Sequence, residues 1–204
     1  MSAEVPDVYA TRYGFTKEVA VTAAATLEEQ GLEVEVKAAR DVRSLDGFGA
    51  VLLGTPLHMG ALHKDVRTHV ERHQVALEQT PLALFALGPI SAEEGVEGSR
   101  KQVDAALAKL PWLSPVATEV FVGAFDPAKL GFKDKMIAVL PASSLHGELA
   151  QDERDWEAIR AWAREAGQQI MNAPAQPLAI ESAEQSKRQA SGPASIGAAS
   201  CPAE

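Results

Sequence analysis

Two hydrophobic periods alternate along this chain. Val8-Tyr9-Ala10 is a short apolar stretch, and Phe15 to Gln30 follows with Val19, Ala20, Ala23, Ala24 and Leu27 at three- and four-residue spacing. That spacing is the stripe of a helix with one buried face, and Gly31 is placed to close it. Leu32-Glu-Val-Glu-Val36 then switches to period two, which predicts a half-exposed strand near a sheet edge. Ala50 to Thr55 and Pro81 to Leu87 are apolar almost without interruption, as parallel strands covered on both faces should be. Between them Leu62 to Leu77 predicts a helix with Leu62, Val66, Val70 and Leu77 inward. Ser99-Arg-Lys-Gln102 reads as a capping box opening a helix that carries Val103, Ala106, Leu107 and Leu110. Val116 to Phe125 predicts a fifth strand, and Asp155 to Met171 a closing helix anchored by Trp156, Ile159, Trp162 and Ile170.

Strands alternating with helices predict an α/β fold: a five-stranded parallel sheet of order 2-1-3-4-5 with helices on both faces. Ligands of such sheets sit at the carboxyl ends of the strands, where the connections after strands one and three diverge. The loops after Ala10, Thr55 and Leu87 are therefore the expected site. The first strand departs from the pattern, because Pro6 and Asp7 precede it. Proline belongs at a strand's first residue or at an edge, and an unpaired carboxylate is costly to bury. These residues predict a short first strand beginning no earlier than Asp7, or a diverged N-terminus, with weaker positioning of the loop that follows.

Composition changes the picture at one place. Beyond Met171 no aromatic residue occurs, and Ala, Ser, Gln, Glu and Pro dominate, so residues 172–204 are expected to form a disordered tail beside a folded unit of residues 1–171. The formal net charge is -9, and the tail contributes only three acids and two bases, so the acidity belongs to the folded unit. An acidic chain is a poor non-specific nucleic-acid binder. The single cysteine, Cys201, lies in the tail and excludes an intramolecular disulfide. No run reaches the length of a membrane span, and the first residues lack a signal-peptide pattern, so a cytoplasmic location is expected.

The first loop reads Thr11-Arg12-Tyr13-Gly14-Phe15-Thr16 directly between a strand and a helix. Backbone amides, two threonine hydroxyls and a helix N-terminus together make a phosphate cradle. The loop lacks both the Gly-Lys-Ser/Thr of a P-loop and the three glycines of a dinucleotide fingerprint. Read alone, it is equally a strand–helix turn capped by threonine.

Thr-x-x-Gly-x-Thr after a first strand resembles the FMN-phosphate loop of flavodoxins. The wider stretch Tyr9 to Ala20 resembles the flavodoxin-like protoporphyrinogen oxidases in particular. Leu53-Gly-Thr-Pro-Leu-His-Met-Gly60 is similar to their second flavin loop. Gly123-Ala-Phe125, a long insert, and Asp155 to Glu165 are similar to their C-terminal part. The resemblance spans roughly residues 8–170 and implies a three-layer flavodoxin-like sandwich that binds FMN. It assigns Thr11, Arg12, Tyr13, Gly14, Phe15 and Thr16 to the phosphate. Pro56, Leu57, His58, Met59 and Gly60, with Gly88, Pro89, Ile90 and Ser91, would hold the ring. It implies oxidation of protoporphyrinogen IX to protoporphyrin IX in heme biosynthesis, with a quinone as acceptor, so porphyrinogen and quinone are the implied partners. The second and third loops offer no aromatic side chain to stack on the ring, which suits a bulky substrate better than a pure electron carrier. A carrier passing single electrons to a protein partner is the alternative that the acidic surface suggests. A cofactor-free module is the alternative that the first strand suggests.

Residues 127–141 of the insert place Lys129, Lys133 and Lys135 among Phe132, Met136, Ile137, Val139 and Leu140. In the resembled family this insert is thought to meet quinone or membrane, which implies weak peripheral contact at the inner face of the membrane; a surface helix packed on the sheet is the equal alternative. His69 and His73 share a helix face but lack the zincin order, and packing is the expected role. No acid, base or metal ligand stands out.

Overall fold

The computed structural model describes residues 4–58, 60–90, 95–138 and 149–173. In chain order the elements are β1 (Glu4–Tyr9), α1 (Phe15–Glu28), β2 (Glu33–Ala38), β3 (Val51–His58), β4 (Ala61–Leu62), α2 (Lys64–Arg72) and α3 (Gln74–Leu77). There follow β5 (Leu82–Leu87), α4 (Glu97–Leu107), β6 (Ala117–Phe121), β7 (Ala124–Phe125), α5 (Phe132–Ala138), β8 (Gln151–Asp152) and α6 (Trp156–Asn172). The main sheet runs β2-β1-β3-β5-β6, all parallel, with β4 antiparallel beside β3. Counting only the five long strands, this is the order expected from the pattern.

The inner strands of the sheet sort their side chains by parity into two cores. Ala83, Phe85 and Leu87 of β5 join Val19, Ala23, Leu27, Ile159 and Ile170 under α1 and α6. Leu82, Leu84 and Ala86 join Val66, Val70 and Val103 under α2 and α4. The uninterrupted apolar run of β5 is thus two alternating sets, one for each face. β2 pairs only with β1, and its partial exposure is that of an edge.

β1 differs from the expectation of a short strand. It has six residues and includes Pro6 and a fully buried Asp7. Even-numbered residues of β1 face β3, since Gly49 N–H donates to the Glu4 carbonyl and Ala10 N–H donates to the Gly54 carbonyl. The N–H that Pro6 lacks would point to that side, where the β1–β3 ladder begins at Asp7, so the proline stands at the margin of that ladder and leaves the β1–β2 pairing from Glu4 to Tyr9 intact. Neither Asp7 carboxyl oxygen has a hydrogen-bond partner, and burial pushes its pKa well above the usual carboxylate range. Burial thus favours the neutral form of Asp7, and a neutral acid costs less to bury than a carboxylate.

Three boundaries also shift. The helix expected over 62–77 breaks at His73 into α2 and α3. Helix α4 starts at Glu97 with no side-chain cap, so Ser99 lies inside it and packs against Gly88 instead of capping. The expected fifth strand ends at Phe121, and after Gly123, whose N–H donates to the Pro89 carbonyl at 2.8 Å, β7 turns away to pair with β8. That pairing draws the two ends of the insert together. The expected tail lies outside the described residues from 174 onward.

Candidate functional site

A cavity of about 670 Å³ opens at the carboxyl ends of the sheet, within the usual range for small-molecule sites. Thr11, Arg12, Tyr13, Phe15 and Thr16 line it from the first loop. Pro56 and Leu57 contribute from the end of β3, and Gly88, Pro89 and Ile90 from the loop after β5. Gly14 sits in the first loop without lining the cavity, and exposed Gly60 turns the chain from β3 into β4. His58 closes β3; its side chain lies outside the described structure, as do Met59 and Ser91 entirely.

Gly14 is left-handed at φ 93°, and a Cβ there would meet open space. Glycine is required by backbone conformation at this turn, not by close approach of a neighbour. The Gly14 amide donates to Thr11 Oγ1 at 2.8 Å, which leaves the hydroxyl proton of Thr11 able to donate onward. Helix α1 begins at Phe15, and its first intrahelical bond is from Glu18 N–H to the Gly14 carbonyl. The amides of Phe15, Thr16 and Lys17 thus have no acceptor within the helix, the usual condition of an N-terminus that receives an anion.

Several lining residues escaped the sequence reading. Ala61 and Leu62 of β4, and His63, Lys64 and Arg67 around the start of α2, form one wall. Gly123, Ala124, Phe125 and Leu130 form another. Two basic residues at the start of a helix oppose its dipole, and that was the available signal. His63 caps α2, its Nδ1 accepting from Asp65 N–H at 3.2 Å, which places the proton of the neutral ring on Nε2. The aromatic side chains that reach the cavity come from the first loop and β7, namely Tyr13, Phe15 and Phe125.

The insert clasps the first loop through charge. Arg12 donates to Asp134 of α5 at 2.5 Å, and Tyr13 is pushed up to about 12, first by burial and then by its hydrogen bond to Asp134. The Phe15 ring lies under Lys129 Nζ at 4.2 Å and Arg154 Cζ at 5.2 Å. The Arg154 side chain is only 3% exposed; it bonds Asp152, Glu18 and the Phe15 carbonyl and covers Trp156 at 4.5 Å. Burial raises Glu18, but its bonds to Arg154 and Lys129 outweigh this and hold it below the usual range. Burial likewise favours neutral Arg154, and the two carboxylates reverse that. His69 and His73 pack together elsewhere, their rings 4.6 Å apart within the α2–α3 layer.

The family model for the flavodoxin domain matches residues 8–148, more than half of the chain. The chain belongs to the flavodoxin domain family. Among curated proteins it is similar to protoporphyrinogen IX dehydrogenase [quinone] of Escherichia coli strain K12. The two are 22% identical over 166 residues, covering 78% of this chain and 91% of that one. Among solved structures it is similar to oxidised flavodoxin 1 from Bacillus cereus, with a TM-score of 0.51, 17% identity, and 84% and 100% of the two chains covered. It is also similar to the flavodiiron protein from Giardia intestinalis, with a TM-score of 0.50 and 13% identity, covering 84% of this chain and 38% of that one. These likenesses establish the fold, which is a flavin-binding one.

The flavodoxin-domain cavity fits such a group chemically. It offers unpaired helix-start amides and a threonine hydroxyl at one end, and apolar walls from Leu57, Leu87, Ile90 and Phe125 for a flat ring. Among the described residues, no carboxylate lines it. No helix among the described residues is long and apolar enough to cross a membrane.

Proposed function

We propose that this chain binds FMN in the cavity and uses it to oxidise protoporphyrinogen IX, with a quinone as electron acceptor. The observation that carries this reading is the composition of one continuous cavity: an anion-ready first loop, apolar walls, and basic side chains beyond them with no described carboxylate. The similarity to the dehydrogenase of Escherichia coli over 91% of that protein's length supports the same reaction class.

In this reading the amides of Phe15 and Thr16, the Thr11 and Thr16 hydroxyls and the Arg12 guanidinium hold the phosphate, and Gly14 sets the turn that aims them. Tyr13 closes the edge of the loop. Pro56 to Gly60 and Gly88 to Ser91 flank the ring. Bound flavin supplies the two-electron chemistry. The protein's own part is placement: Leu57, Leu87, Ile90 and Phe125 exclude water, while the rigid strand ends fix the ring against an open approach for a bulky substrate. Exposed Phe132 and Met136 on α5, beside Lys135, give the insert an apolar and cationic face. That face is suited to a quinone or to weak contact with an anionic membrane surface at the cytoplasmic side.

Purified protein titrated with FMN should quench flavin fluorescence. Anaerobic mixing of the loaded protein with protoporphyrinogen IX and a menaquinone analogue should then give porphyrin fluorescence well above the no-enzyme rate. Porphyrin formation no faster than that control overturns the assignment, and absence of flavin quenching overturns the cofactor with it.

A further inference from the structure

We propose that Lys64 and Arg67 form a subsite for carboxylate groups on the molecule that reacts with the flavin. The inference rests on the reading of this cavity as a flavin-and-substrate site given above. In a chain of net charge -9, the described lining of the cavity holds arginine and lysine but no aspartate or glutamate. Arg12 belongs to the phosphate loop and is paired with Asp134. Lys64 and Arg67 belong to a different wall. Helix α1 packs on one face of the sheet with Val19 and Ala23, whereas α2 packs on the other with Val66 and Val70. A phosphate held at the start of α1 therefore leaves the start of α2 to a second anionic group.

Neither Lys64 nor Arg67 forms an ion pair with a described carboxylate, and both are exposed at the cavity rim. Both also stand in the first turn of α2, where the helix dipole is positive and a cation is disfavoured. Asp65 shares that turn but does not line the cavity. Two uncompensated cations at the positive end of a helix raise the local potential toward the cavity, and an arginine fork beside a lysine is suited to carboxylate recognition. The subsite thus selects a flat, apolar molecule bearing carboxylates over its neutral analogue.

The test is binding to the FMN-loaded protein of protoporphyrin IX, a dicarboxylate, and of its dimethyl ester, followed by the Soret absorbance. Both compounds are titrated against wild type, the double variant Lys64→Gln/Arg67→Gln and a charge-matched control, Lys101→Gln/Lys109→Gln. The diacid should bind wild type at least tenfold more tightly than the ester, and the double variant should lose roughly tenfold for the diacid alone. FMN affinity should stay within about twofold, and the control should match wild type. The substitutions remove cations from a helix start, so folding should not suffer. Equal binding of diacid and ester, no binding of either, an unchanged double variant, or a parallel loss of FMN each overturns the subsite. Turnover of protoporphyrinogen is measured separately, so a binding failure with turnover intact sinks only this inference, and selective binding without turnover sinks only the reaction.

Discussion

Asp7 is the residue where local chemistry and fold are most at odds. Between Val5 and Tyr9 in β1 it is fully buried, with neither oxygen bonded, and burial raises its pKa well above the ordinary value. The folded state therefore binds a proton that the unfolded chain releases near pH 4. Stability is greatest below that value and falls as pH rises toward the folded pKa, by up to about 1.4 kcal/mol per pH unit. Asp7→Asn removes this term. Urea unfolding from pH 4 to 8 should show the variant gaining on wild type as pH rises, and a constant difference would mean that Asp7 is ionised in the fold. His69 carries the opposite linkage. Burial first, and then the neighbouring His73, lower it to about 4, so its contribution is present above pH 6.5 and is lost as pH falls toward 4. His69→Leu should flatten acid destabilisation over that window by as much as about 3 kcal/mol, read from urea midpoints.

Elements were legible where periodicity was strong and boundaries where a cap was explicit. The stripe from Val19 to Leu27 became α1, and Asp155 caps α6 by accepting from Glu157 and Ala158 N–H. The capping box at Ser99 misled because a second demand competes for that serine. A Cβ on Gly88 would stand 2.8 Å from Ser99 Oγ and 2.9 Å from Val120 Cγ1, so α4 and β6 close over the third loop with no room to spare. Such long-range packing leaves no local trace. The loops expected after Ala10, Thr55 and Leu87 line the cavity because parallel topology places ligand loops there, although β3 runs past Thr55 to His58, whereas the wall built by β4 and α2 was not readable, since it depends on the antiparallel turn at Gly60. Gly54 marks another hidden contact: a Cβ there would fall 2.3 Å from Phe85 Cζ, in a ring cluster with Phe121 and Trp162. Gly54→Ala should lower unfolding stability by about 1–3 kcal/mol, because Phe85 is fully buried and cannot yield. Thr11→Ala should act on the loop instead, weakening FMN binding by about tenfold with little change in stability, since it removes both the Gly14 anchor and a hydroxyl.

At the scale of the molecule, the insert is what turns a sheet with loops into a walled cavity. Its described parts return to the first loop and the first turn of α1 three times: Asp134 to Arg12, Lys129 to Glu18, and Arg154 to Glu18 and the Phe15 carbonyl. Arg154 differs from the other two because its side chain is buried between Phe15 and Trp156, while Glu18 and Asp152 remain 44% and 47% exposed. Its removal costs packing and the bond to the Phe15 carbonyl, yet it leaves the two carboxylates solvated, so the loss should be well below that of a fully buried pair. Arg154→Met should reduce stability by about 1–3 kcal/mol and raise the FMN dissociation constant several-fold. The decisive readout is hydrogen exchange. If β7–β8 and the start of α1 form one clasp, both segments should exchange faster together in the variant while β3 and β5 keep their protection. Faster exchange in β8 alone would mean that the insert packs beside the site without holding the first loop in place.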